Sequence, residues 1–104
     1  MARNALEGPA ITEALALVDG WTLEHGATAI VKTFKFKTFS EAFGFMSRAA
    51  LAAETLDHHP EWFNIYNKVE VRLSTHSARG LTQLDFALAK AMDDIVGKRR
   101  ASHT

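Results

Sequence analysis

The chain contains no cysteine. That removes disulfides, thiol nucleophiles and cysteine-ligated zinc from consideration. It has no excess of either charge, with 12 Lys and Arg against 12 Asp and Glu. A balanced chain exerts no general pull on nucleic acid or on an anionic membrane surface. No apolar run approaches the roughly 20 residues that a membrane span needs. The opening MARNALEGPA carries one Arg but no apolar segment behind it, which predicts no secretory signal. Together these absences predict a soluble intracellular protein. Internal repeats and low-complexity segments are also missing. What is present is ordinary globular composition, 47% hydrophobic and 23% charged over 104 residues, which suits a single domain with one core. Fraying is expected over residues 1–8 and 97–104.

The two prolines mark helix ends. Pro9 fits the first turn of a helix over ITEALALV, with Ile11, Leu15 and Val18 on one side and Asp19-Gly20 as its stop. WTLEH and AIVKTFKF read as strands joined at Gly26-Ala27. Ile30, Phe34 and Phe36 share one face of the second strand. Lys32 falls on that same face, so its head must escape to an edge or the alternation must slip. Thr38 with Glu41 three residues on reads as a capping box. Phe39, Ala42, Phe43, Met46, Ala49, Ala50, Ala53 and Leu56 then recur at helical spacing until Pro60 forbids continuation. FNIY and VEVRLST read as two more strands, joined by Asn67-Lys68, with Val69, Val71 and Leu73 buried. Thr82 can cap a last helix, LDFALAKAMDDIV, with Leu84, Leu88, Ala91 and Ile95 inward. The predicted order is α-β-β-α-β-β-α. It makes an α+β fold, a four-stranded antiparallel sheet with helices on one face. The open face and the two sheet edges predict a homo-oligomer.

The chemistry concentrates in DHHPEW and LSTH. Glu54, Asp57 and His58 stand at i, i+3 and i+4 on the last turn of the second helix, which predicts that they share a face. The helix C-terminus and both carboxylates favour a protonated His58. Each group also has a plain structural explanation. His58 can end a helix in a surface ion pair, His59 can be a loop residue, and His76 an exposed strand end. Asp85, three residues after Thr82, can complement a helix start. The combination says more than the parts. If the loops 57–62 and 76–82 meet at one end of the sheet, they gather imidazoles and acids into a pocket. Trp62 would be its flat wall, or else a core or interface residue. Three His with an acid can bind zinc, but adjacent His58 and His59 diverge across a helix end, so the spacing argues against a metal. Proton transfer is the use best matched to imidazole near neutral pH. His25 and His103, in a hairpin and a tail, need no role.

FKFKTFSEAFGFMSRAALAAE, LDHHPEWFNIYNKVEVRLSTH and GLTQLDFALA carry a resemblance. From about Gly20 to Met92 the sequence resembles the pterin-4a-carbinolamine dehydratases, which also serve as dimerisation cofactors of a homeodomain transcription factor. The resemblance implies the fold order already read, and dimers or tetramers. It implies dehydration of 4a-hydroxytetrahydropterin, left behind by an aromatic amino acid hydroxylase, to quinonoid dihydropterin in tetrahydrobiopterin recycling. No metal or organic cofactor is implied. By motif it carries the catalytic set His58, His59, His76 and Asp85 onto this chain, with Glu54, Asp57 and Trp62 toward substrate. His58 and His76 would be the acid and base, and His59 would orient substrate. Animal members commonly have Arg just before the acid of the last helix. Leu84 stands there instead, which leaves open how Asp85 is steadied.

A second reading is a non-catalytic binding protein of the same fold, docking on a transcription factor or a hydroxylase through its helical face. The complete histidine set favours the enzyme. A third is a related role in molybdopterin or other pterin chemistry, which the motif does not separate. No direct nucleic-acid contact is predicted. The run Lys98-Arg99-Arg100 is short and reads as a solvated tail.

Overall fold

The computed structural model describes residues 4–101. The tail residue His103 lies outside them, as do the outermost parts of the two expected frays. Helix α1 spans Gly8–Leu15, with Pro9 in its first turn, where a missing N–H costs nothing. It ends three residues earlier than the pattern suggested, and Val18 lies in a turn stitched by short backbone bonds. Strand β1 is only Thr22–Leu23, far less than WTLEH, because the chain turns back at Glu24–Ala29 through Gly26 and Ala27, both at positive φ. Strand β2 is Ile30–Lys35 and helix α2 is Phe39–Leu56. Strands β3, Glu61–Ile65, and β4, Lys68–Leu73, follow. Tyr66-Asn67 joins them, rather than Asn67-Lys68. A short 3-10 turn over His76–Ala78 was not foreseen. Helix α3 runs Gln83–Ala101, past Gly97 where fraying was expected. Near the other end, the Leu6 N–H bonds the Leu81 carbonyl at 2.7 Å.

The four strands form one antiparallel sheet in the order β1-β2-β4-β3. This is the α-β-β-α-β-β-α fold expected from the sequence. Ile30, Phe34, Val69, Val71 and Leu73 point to the helices and are buried, as period-two alternation requires. Thr33, Lys35 and Glu70 point to the open face and are exposed.

Lys32 does not slip out of this alternation. It stays on the helix side opposite Val71. Its ammonium lies 2.8 Å from Asp93 Oδ1 on α3 and 4.6 Å from the Phe34 ring centroid. Asp93 also accepts from Trp21 Nε1 at 3.0 Å and the Asp19 N–H at 2.9 Å, so the charge is compensated in place.

The Thr38 cap is present, with Thr38 Oγ1 accepting from the Glu41 N–H at 3.1 Å. Glu41 reaches back to the Lys37 N–H. The buried stripe of α2 is Ala42, Phe45, Ala49 and Ala53. Phe39 and Phe43 were expected in it, yet they are 49% and 56% exposed, and Ala50 is exposed as well. Phe45 wins the core because its ring nests 4.6 Å from Phe34 and 5.3 Å from Phe36. In α3 the deepest apolar residues are Leu88, Ala89 and Met92. Leu84, Ala91 and Ile95 are half-buried.

Candidate active site

Helix α2 closes with the bonding of a Schellman turn. The His58 N–H bonds the Ala53 carbonyl at 3.0 Å and the Asp57 N–H bonds Glu54 at 3.1 Å. Asp57 adopts the left-handed conformation, φ 52°, that this turn needs. The helix therefore stops before His58, and the expected common face of Glu54, Asp57 and His58 does not exist. His58 swings inward and is buried. Its Nε2 lies 2.6 Å from Asp85 Oδ1. His59, the residue before Pro60, turns the other way. Its Nε2 lies 2.9 Å from Glu54 Oε2, with both side chains exposed. Glu54 thus partners His59 and not His58.

Asp85 is fully buried at the start of α3. Its Oδ2 accepts from Thr75 Oγ1 at 2.7 Å and from the Thr82 N–H at 2.9 Å, while Oδ1 faces His58. The Thr75 and Thr82 hydroxyls are 2.8 Å apart. Since Thr75 gives its proton to the carboxylate, Thr82 must supply the proton between the two hydroxyls. Thr82 Oγ1 in turn accepts from the Leu84 N–H at 3.2 Å. This chain of donors steadies Asp85 without an Arg at position 84.

His76 stands at the other side of the same sheet end. Thr75 and Gly80 bridge the loop behind it. Its Nε2 lies 2.8 Å from Glu61 Oε2 at the head of β3. Glu61 pairs across the sheet with Arg72, whose guanidinium also holds Glu24 at 2.9 Å. The hydrogen bond from His76 is the largest influence and holds the Glu61 carboxyl below its ordinary range; desolvation, the next largest, opposes it, and the Arg72 charge and hydrogen bond add to the lowering. The Glu24 hydrogen bond is the largest of the influences that raise Arg72. A hollow of about 530 Å³ opens on the uncovered face beside these charges, lined in part by Glu24, Glu61, Phe63 and Arg72. It meets the histidines only through Glu61. Trp62 alternates to the helix side opposite Val71, where it is half-buried and packs on the core.

The loops 57–62 and 76–82 meet at one end of the sheet, where Glu61 bonds His76, which is the condition on which the sequence reading of a shared site depended. Each of the three imidazoles engages a separate carboxylate through Nε2. Among the described residues no group of three His, Asp or Glu side chains is placed to hold a metal ion. His25 is exposed in the β1–β2 turn. Glu61, Arg72 and Thr75 were not singled out in the sequence. Thr75 was within reach, because it is the next inward position after Val69, Val71 and Leu73. Glu61 and Arg72 depend on strand register, which the pattern does not give.

The family model described as Pterin 4 alpha carbinolamine dehydratase matches residues 4–95. Proteins of Brucella ovis and Brucella canis named "Putative pterin-4-alpha-carbinolamine dehydratase" are each 57% identical over 97 residues, covering 93% of this chain and all of theirs. A crystal structure from Brucella melitensis, described as a transcriptional coactivator/pterin dehydratase, superposes with a TM-score of 0.86 at 55% identity. The match covers 88% of this chain and 98% of that one.

Proposed function

The chain belongs to the pterin 4 alpha carbinolamine dehydratase family, and from that premise we propose that it eliminates water from 4a-hydroxytetrahydropterin by acid/base chemistry alone, in tetrahydrobiopterin recycling. The observation that carries this reading is the pairing of His58 Nε2 with Asp85 and of His76 Nε2 with Glu61 at one end of the sheet. A carboxylate on one ring nitrogen fixes the ring's orientation and leaves the other nitrogen for substrate. The reaction needs little more. The N5 lone pair expels the hydroxyl from C4a as N5 gives up its proton, so one group must protonate the departing oxygen and another must take the N5 proton. His58 and His76 fill these roles and exchange them for substrates of opposite configuration at C4a. His59, held by Glu54 at the rim, orients the substrate through a hydrogen bond. Asp57 sets the turn that separates the two rings, and Trp62 backs β3 against the core.

Two surfaces support a homodimer or homotetramer. Strand β3 is a sheet edge, with Phe63, Ile65 and Tyr66 58%, 56% and 62% exposed at and just past it. On α2, Phe39, Phe43 and Leu51 form an exposed apolar stripe. That stripe also favours the second reading, a docking face for a transcription factor or an aromatic amino acid hydroxylase.

The test is a dehydration assay on freshly generated 4a-hydroxytetrahydropterin, followed by absorbance, with and without a chelator. Turnover should survive chelation and fall by about 10²-fold or more in both His58→Ala and His76→Ala. No acceleration above the spontaneous rate would sink the enzyme reading and leave the docking role.

A further inference from the structure

The bonds around His76 go beyond what the histidine motif requires. His76 is exposed on a short 3-10 turn, a poor place from which to aim a ring, because little packs against it. Its fixed contact is Glu61 Oε2 at 2.8 Å. Glu61 could itself rotate freely at a strand end. Instead Arg72 Nη1 bonds both its oxygens at 3.2 Å. The Arg72 guanidinium is anchored in turn, since Nε bonds Glu24 Oε1 at 2.9 Å and Oε2 at 3.1 Å. The sheet register sets the geometry. Glu61 stands opposite Arg72, and Arg72 stands opposite Val31 of β2, beyond which lies the β1–β2 turn that carries Glu24. One arginine therefore ties two strands and a hairpin into a single row of alternating charge that ends on the imidazole.

We propose that Glu61 is a positioning residue for His76, held rigid by Arg72 and Glu24, and that it fixes the proton on His76 Nε2 so that Nδ1 faces the substrate. The inference rests on the dehydratase reading for its catalytic consequence, but not for the tautomer it assigns. A carboxylate only accepts, so the ring nitrogen beside it must carry the proton. Arg72 matters because a guanidinium fork orients a carboxylate better than a point charge does. The charged groups in direct contact with Glu61 are His76 and Arg72, and Glu24 reaches it through Arg72. The low-lying Glu61 carboxyl is consistent with this, since it stays ionised where imidazoles titrate.

The experiment compares wild type, Glu61→Gln, His76→Ala and the double variant by kcat and KM, and reads the His76 tautomer by ¹⁵N chemical shifts. Glutamine keeps the shape but can offer either oxygen or amide to the ring. Glu61→Gln should lower kcat about tenfold with KM nearly unchanged, a loss kept moderate because Glu61 is half-exposed. The double variant should be no slower than His76→Ala, because Glu61 acts through that ring. His76 should be protonated at Nε2 in wild type and a mixture in Glu61→Gln. An unchanged tautomer in Glu61→Gln, or additive losses in the double variant, would overturn the proposal. If wild type shows no dehydration at all, the dehydratase reading fails, while the tautomer still decides whether Glu61 positions His76.

Discussion

Asp85→Asn separates the chemistry of the buried network from its contribution to stability. The Asp85 carboxylate accepts three bonds, from His58, Thr75 and the Thr82 N–H, and donates none. Asparagine keeps the volume but can accept on one side only. Its oxygen belongs at the Oδ2 position, where two donors converge, so its amide must face His58 Nε2. The ring then has to present a lone pair at Nε2 and carry its proton on Nδ1. Each hydrogen bond to a charged group contributes about 1 kcal/mol more than a neutral one, so three lost charge assistances come to about 3 kcal/mol. Relief of the buried charge offsets part of this. The net destabilisation should be about 2 kcal/mol or less, a melting shift of roughly 8–16 °C at most for a domain of this size. If His58 acts as proposed, the effect on turnover should be much larger, about 10²-fold or more, because its substrate-side nitrogen would be in the wrong protonation state. The assay pairs urea unfolding with the pterin dehydration rate and a ¹⁵N spectrum of His58. Near-wild-type turnover, with His58 now protonated on Nδ1, would refute the reasoning outright. So would a loss of activity that only tracked unfolding.

The Glu61 carboxyl titrates below its ordinary value of 4.5 in the folded chain. Its contribution is therefore fully present above about pH 4.5 and is lost as pH falls through the lower folded value. Urea midpoints of wild type and Glu61→Gln should differ near pH 6 and converge on acidification; a gap that widens in acid would contradict the assignment. Phe45 is fully buried among Phe34 and Phe36. Phe45→Ala should cost about 3–5 kcal/mol, read as a fall in melting temperature, and a loss below about 1 kcal/mol would mean that the aromatic cluster is not the centre of the core.

Periodicity made the element order legible, because side-chain direction follows directly from backbone repeat. It failed where two apolar stripes compete on one helix. Phe39 and Phe43 share a stripe with core positions by spacing, yet it is Phe45 that meets the Phe34 and Phe36 rings of the sheet. Lys32 shows the converse. A charge on the buried face called for an escape to an edge or a slip of the alternation, but Asp93 of α3, 61 residues away, supplies the counter-charge. No local pattern contains that information.

Local pattern along the chain carried the fold class, the stop of α2 before Pro60, and the imidazoles and acids available to a site. It did so because capping, alternation and proline geometry are local rules. Which acid each imidazole meets depended on contacts between distant parts of the chain. The left-handed Asp57 ends the helix one residue too soon for His58 to stay beside Glu54, and so sends His58 inward to Asp85 and leaves Glu54 to His59. Strand register then brought Glu61 under Arg72 and beside His76. Partners 27 and 15 residues apart are joined by the packing of a sheet end, and packing is a property of the whole chain.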